Sequence, residues 1–294
     1  MNSYRPLFLL LFSLLFLAFA PSAAFACPTI DGLPDYNCDG KLVIIFTGDS
    51  IASGRTGRGV NDPGGGYPGR LAEQLPHADI INDGVPGITS GTLLSIYKRV
   101  INTNQFPNSR AALGVADYIF IDVGRNDYIQ KTSYKRTTTN IISLVKFLRN
   151  SAGPNPELAP LVSATTLIPT SRRGQNSFVA RLNRRLLSAN SSSFPVLVRF
   201  DGFSKNLLNH DKLHPTPSGY EQLEFILQSY LLTSITQFAE ANRPDSDGDG
   251  VYDVAERLLF GTDPSIADSD GDGTSDGDEI FTYQTNPLDE SSHP

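Results

Sequence analysis

Two cysteines and four histidines in 294 residues narrow the possible chemistry. Two thiols exclude a small fold held by several bridges, and four imidazoles leave few choices for a general base. Beyond residue 26 no apolar run approaches the roughly 18 residues that a membrane helix needs, so no transmembrane segment is expected. Basic residues are not clustered with aromatics, which argues against nucleic-acid binding. The stretch GVNDPGGGYPGRL from Gly59 lacks the Lys-Ser/Thr of a phosphate loop and reads instead as a flexible wall of a cleft.

What is present begins with Arg5, a mostly Leu, Phe and Ala run from Leu7 to Ala20, and the small-x-small pattern Ala24-Phe25-Ala26. This reads as a signal peptide over residues 1–26, placing the mature chain in the periplasm, at the cell surface or outside the cell. A lipid anchor on Cys27 is the weaker reading, because Ala24 and Phe25 fit a lipobox poorly. In an exported segment, Cys27 and Cys38 are expected to form a local disulfide within residues 27–40. The net charge of −7 is unevenly spread, with 14 of the 31 acidic residues and a single arginine, Arg257, after Pro244. Two chemically different modules are therefore expected, residues 41–241 and 245–294, joined by a linker at 242–244.

Five apolar runs recur in the larger module, Leu42 to Phe46, Ala78 to Ile81, Tyr118 to Val123, Leu161 to Ile168 and Val196 to Phe200. Each is followed by Gly, Asn, Asp or Pro, as buried strands leading into loops are. Helical spacing fills the gaps at Tyr67 to Leu75, Gly91 to Ile101, Ile141 to Asn150 and Ser177 to Ala189, with a last helix from Pro217 to about Ala241. The alternation predicts an α/β/α sandwich around a parallel, flavodoxin-like five-stranded sheet. In such sheets ligands bind beyond the carboxyl ends of the strands.

Ser50 stands at such an end. A serine nucleophile needs a base held by a carboxylate, and the loop NHDKLHPTPSGY offers His214 with Asp211 three residues earlier, His210 being the weaker rival. Gly84 and Gly87 follow the second strand as candidate backbone donors, and Asn126 follows the third as a candidate side-chain donor to an oxyanion. Together Gly48-Asp49-Ser50, Asn82 with Gly87, Gly124-Arg125-Asn126-Asp127 and Asp211 to Pro215 resemble the blocks of the SGNH or GDSL esterase and lipase superfamily. The resemblance spans roughly Lys41 to Ala241. It implies acyl transfer through Ser50, with His214 as base, Asp211 orienting it, and an oxyanion hole of the Ser50 and Gly87 N–H groups and the Asn126 side chain. It implies no cofactor for catalysis. No Gly-x-Ser-x-Gly elbow surrounds Ser50. Arg125 is expected to be an exposed rim residue.

The acidic tail repeats itself 23 residues apart, as DSDGDGVYDVAE from Asp245 and DSDGDGTSDGDE from Asp268. Calcium wants six to eight hard oxygens. Candidate ligands are Asp245, Asp247, Asp249, the Val251 carbonyl, Asp253 and Glu256, then Asp268, Asp270, Asp272, the Thr274 carbonyl, Asp276 and Glu279. The 11 residues between Glu256 and Asp268 are too few for EF-hand helices. The pattern resembles bacterial thrombospondin type 3 repeats, which implies structural calcium and a stalk or attachment role. The whole reads as a secreted, monomeric serine esterase acting on a lipid, acylated carbohydrate or small ester. A lysophospholipase, thioesterase or acyltransferase would use the same site, and a non-catalytic calcium-dependent surface or carbohydrate-binding protein is the reading of a different class.

Overall fold

The computed structural model describes residues 27–292 except 58, 104–106 and 154. The signal peptide expected over residues 1–26 lies outside them. Strand β1 (Leu42–Gly48) is followed by α1 (Gly66–Gln74), β2 (Ala78–Gly84), α2 (Ser90–Asn102) and α3 (Pro107–Gly114). Then come β3 (Tyr118–Asp122), α4 (Arg125–Ile129), α5 (Tyr134–Ser151), β4 (Leu161–Thr165), α6 (Gln175–Ser193), β5 (Leu197–Val198) and α7 (Pro217–Tyr230). The five strands form one parallel sheet in the order β2-β1-β3-β4-β5, the flavodoxin-like arrangement.

Alternation along each strand explains the continuous apolar runs. Val43 and Ile45 of β1 join Ile119, Ile121 and Val162 in a core shared with α2, α5 and α6. Leu42, Ile44 and Phe46 join Tyr118, Phe120 and Val198 in a second core with α1 and α7. Side chains of period two thus fill both faces, and neither face of β1 needs polar residues.

Helix starts follow local chemistry. Thr216 accepts from the Gly219 N–H at 3.2 Å, and Pro217 sits at the first helical position of α7, where its missing N–H costs nothing. Ser133 caps α5 by accepting from Arg136 N–H, so this helix begins at Tyr134 rather than Ile141. Its first turns carry the buried Thr137 and Thr138, whose polar class hides them from an apolar count. β4 stops at Thr165 because Leu167 turns its N–H and C=O onto the Asn183 side chain, each at 2.8 Å. The last helix continues past Tyr230 through a π-turn, Leu231–Ile235, into Thr236–Asn242.

The N-terminal segment is tied down by the Cys27–Cys38 disulfide. Asp117, just ahead of β3, accepts from the N–H groups of Tyr36, Asn37 and Val43. No helix among the described residues is long and apolar enough to cross a membrane.

Candidate active site

β1 delivers Ser50 through a turn that leaves no room for a side chain at Gly48, where a Cβ would sit 2.0 Å from the Asp122 carbonyl oxygen. Asp49 N–H donates to that oxygen at 3.0 Å, and Val85 N–H donates to the Gly48 carbonyl at 2.9 Å. The ends of β1, β2 and β3 are thereby pinned together beneath the serine.

Ser50 Oγ lies 2.8 Å from His214 Nε2, and His214 Nδ1 lies 2.5 Å from Asp211 Oδ2. The Asp-x-x-His turn is self-supporting. Asp211 Oδ1 accepts from the N–H groups of Leu213 and His214 at 2.9 Å, and Lys212 takes the left-handed conformation at the bend, φ 63°. Burial pushes the Asp211 carboxyl up, but the hydrogen bonds from the His214 ring and from the backbone N–H groups of His214 and Leu213 outweigh it and hold the group below its ordinary value. It therefore stays ionised where an imidazolium would form.

Asn126, at the start of α4, donates one side-chain N–H to the Ile88 carbonyl at 2.9 Å. The amide carries a second N–H. Gly87, φ 85°, lies beside it on the same cleft wall. Among the described residues neither the Ser50 nor the Gly87 N–H donates to a protein acceptor. The buried Asp127 holds this wall in place by accepting from Ser90 N–H, Ser90 Oγ and Thr137 Oγ1. Ser50, Gly87, Asn126, Asp211 and His214 all line one open cleft of about 840 Å³.

The other candidates make different contacts. His210 lines the cleft, and its backbone N–H donates to Asn209 Oδ1 at 2.7 Å. His77 pairs with Asp31 at the amino end of β2, and His293 is outside the described residues. Asn82 accepts from Gly84 N–H and shapes the loop after β2. The glycine-rich stretch contributes Gly59 to the cleft wall, and Val60–Asn61 pair with Arg55–Gly57.

Arg125 is a correction. It is 2 % exposed, not a rim residue, and its Nη1 donates to Asp122 Oδ1 at 2.7 Å and to Asp49 Oδ2 at 3.3 Å. Two buried carboxylates behind Ser50 require a buried cation. Burial raises the Asp49 pKa, Arg125 lowers it and Asp122 raises it, with a net upward shift. Sequence reasoning also missed Arg172, whose Nε donates to the Asp211 carbonyl at 2.8 Å and whose Nη2 reaches Asp211 Oδ2 at 3.4 Å. No local pattern marks it.

In the tail, Asp245, Asp247 and Asp249 form one oxygen cluster and Asp268, Asp270 and Asp272 another. Glu256 and Glu279 are fully buried. Among the described residues Asp247 Oδ2, Glu256 Oε2, Asp270 Oδ2, Asp272 Oδ2 and Glu279 Oε2 meet no hydrogen-bond donor. Orphaned buried carboxylate oxygens fit a hard divalent cation. Asp253 accepts from Ser246 N–H and Oγ at 2.8 Å each, and Asp276, at the same repeat position, accepts likewise from Ser269 N–H and Oγ.

The GDSL-like lipase/acylhydrolase family model matches residues 46–222, and the bacterial TSP3 repeat model matches 245–265 and 268–290. The fold is similar to that of a carbohydrate acetylesterase family member from Sinorhizobium meliloti, with 17 % identity, TM-score 0.52, and coverage of 66 % of this chain and 99 % of that one. It is also similar to the lipase Lip_vut3 from a goat rumen metagenome, with 20 % identity, TM-score 0.51, and coverage of 64 % and 97 %. A member of the lipolytic protein G-D-S-L family from Veillonella parvula matches at 17 % identity and TM-score 0.51, covering 65 % and 99 %. No curated protein matches. With the family model spanning more than half of its length over the strands and loops that carry this cleft, the chain belongs to the GDSL-like lipase/acylhydrolase family and is an ester hydrolase.

Proposed function

We propose that Ser50 attacks the carbonyl of a carboxylic ester while His214 Nε2 takes its proton, with Asp211 orienting the ring and stabilising the imidazolium. The Ser50 and Gly87 N–H groups and the free N–H of Asn126 would hold the oxyanion. His214 then protonates the departing alcohol, and a water deprotonated by the same imidazole releases the acid. The observation that carries this reading is the unbroken Ser50–His214–Asp211 chain, 2.8 and 2.5 Å, on the cleft floor.

The substrate reading is a small or acylated-carbohydrate ester. The cleft wall carries Arg55, Arg172, Asn209 and His210, with Pro86, Ile129 and Leu213 as its apolar residues. Those four polar side chains offer hydrogen bonds to the hydroxyls of a sugar or another polar ester. The domain reading is a catalytic domain at 41–241, preceded by a stapled segment at 27–40 and followed by tandem calcium repeats at 245–294. In those repeats Asp245, Asp247, Asp249, Glu256 and their counterparts Asp268, Asp270, Asp272, Glu279 would hold structural calcium. The disulfide and the repeats are consistent with an extracellular or periplasmic protein.

A fluorophosphonate probe tests the chemistry. Labelling of the wild-type chain that disappears in Ser50→Ala is expected; a wild-type chain that resists the probe defeats the assignment. A panel running from acetylated sugars to long-chain lipid esters tests the substrate, and faster turnover of the longest chains would refute the polar-ester reading.

A further inference from the structure

We propose that the first calcium loop is completed by the second repeat, Asp276 joining Asp249 and Glu256 around one cation. This rests on reading both repeats as calcium sites. One carboxylate oxygen from each of Asp249, Glu256 and Asp276 lies within 4.8 Å of the others, the span of two calcium–oxygen bonds of about 2.4 Å across a single ion. Asp249 also belongs to the cluster of Asp245 and Asp247, so it links the first loop's own carboxylates to the incoming Asp276.

Burial makes the site more than an acidic surface. Glu256 and Asp276 are both 0 % exposed, and Glu256 Oε2 meets no donor. An anionic oxygen in that position demands a cation. Asp276 is already oriented, since its two oxygens accept from Ser269 N–H at 2.8 Å and Ser269 Oγ at 2.6 Å, and each retains lone-pair capacity for a metal.

The two repeats are pressed together at this point. Gly277 N–H donates to Asp249 Oδ2 at 3.1 Å, and a Cβ on Gly277 would stand 2.2 Å from the Asp249 carbonyl oxygen. Only glycine permits that approach. The cluster of Asp268, Asp270 and Asp272 draws on one repeat alone, so the arrangement is directional. The first site closes only when the second repeat is folded against it.

Terbium luminescence sensitised by Tyr252, which lies between Val251 and Asp253 in the first loop, reports that site in the full chain, and Tyr252→Phe assigns the signal. In calcium competition, Asp276→Asn is expected to weaken the first site at least about tenfold. Gly277→Ala keeps every carboxylate but forces the repeats apart, and is expected to produce the same loss. Ser269→Ala removes only the hydroxyl on Asp276 and should leave the site near its wild-type affinity. Unchanged first-site affinity in Asp276→Asn or in Gly277→Ala, or a loss in Ser269→Ala equal to that of Asp276→Asn, overturns the proposal. A wild-type chain that binds neither terbium nor calcium overturns instead the reading of the repeats as calcium sites.

Discussion

Replacing Arg125 with methionine leaves Asp49 and Asp122 buried without the guanidinium that bonds both. Removing one partner of a buried ion pair destabilises by about 3 to 5 kcal/mol, because the remaining charge stays desolvated. The lower end applies here, since Arg125 Nε and Nη2 find no acceptor among the described residues and their own desolvation cost vanishes with the substitution. About 3 kcal/mol in a domain of this size corresponds to a fall in Tm of about 6 to 12 °C. The pH dependence carries a further sign. Without the cation, burial drives the Asp49 carboxyl further above its ordinary value, so the folded variant binds a proton that the unfolded chain releases. That protonation supports the fold at acid pH and is lost as pH rises through the raised value. The Tm deficit relative to wild type should therefore widen as pH rises above the ordinary carboxylate range. Thermal unfolding followed by circular dichroism measures both. A deficit below about 2 °C, or one that narrows as pH rises, refutes the reasoning.

Asp211→Asn should leave KM near wild type and lower kcat by about 1,000- to 10,000-fold, since the amide presents the wrong partner to His214 Nδ1; steady-state kinetics on an activated ester checks it. Asn126→Ala should lower kcat by about 100- to 1,000-fold through loss of one oxyanion donor, and an unchanged kcat would remove Asn126 from the site. Asp35 has its pKa pushed up to about 6, mainly by burial, which its hydrogen bonds from Gly40 and Asp39 N–H only partly offset. Its contribution is present below the ordinary carboxylate range and is lost as pH rises through about 6, so Asp35→Asn should flatten the decline in Tm between about pH 4 and about pH 6. Residues 245–294 should be cleaved rapidly by protease in chelator and resist it in millimolar calcium, and equal cleavage under both conditions would count against a calcium-dependent fold.

The sheet was legible because its strands are short apolar runs ending in Gly, Asn or Asp, and a two-sided core imposes that pattern directly on sequence. The cleft residues Ser50, Gly87 and Asn126 were legible as small polar motifs at strand ends, and Asp211 and His214 as one Asp-x-x-His turn ahead of α7, because such motifs survive as local words. Arg125 was not. An arginine between Gly124 and Asn126 looks solvent-facing by residue type, and its burial follows from Asp49 and Asp122, which lie 76 and 3 residues away and become neighbours only when β1 and β3 pair. Arg172 escaped for the same reason, its contact with Asp211 being 39 residues distant. The threonine-rich start of α5 shows the complementary limit. A buried threonine leaves too little apolar period to read.

The link between the two modules is a packed surface rather than a free tether. Val251, Tyr252, Val254 and Ala255 of the first repeat are buried with Cys27, Cys38 and Leu158 in a small core of their own. Arg243 lies 4.2 Å over the ring of Tyr36 and donates to the carbonyls of Tyr36, Glu157 and Ala159. Two of these partners come just ahead of a strand, Cys38 before β1 and Leu158 before β4. The repeats therefore sit at the amino ends of the sheet, whereas Ser50, Gly87 and Asn126 follow the carboxyl ends of β1, β2 and β3. A module on that side cannot contribute a wall to the ester cleft. Packing against Cys27, Cys38 and Leu158 instead couples the first repeat to the stapled N-terminal segment and to the chain that feeds β1, with the cleft left open.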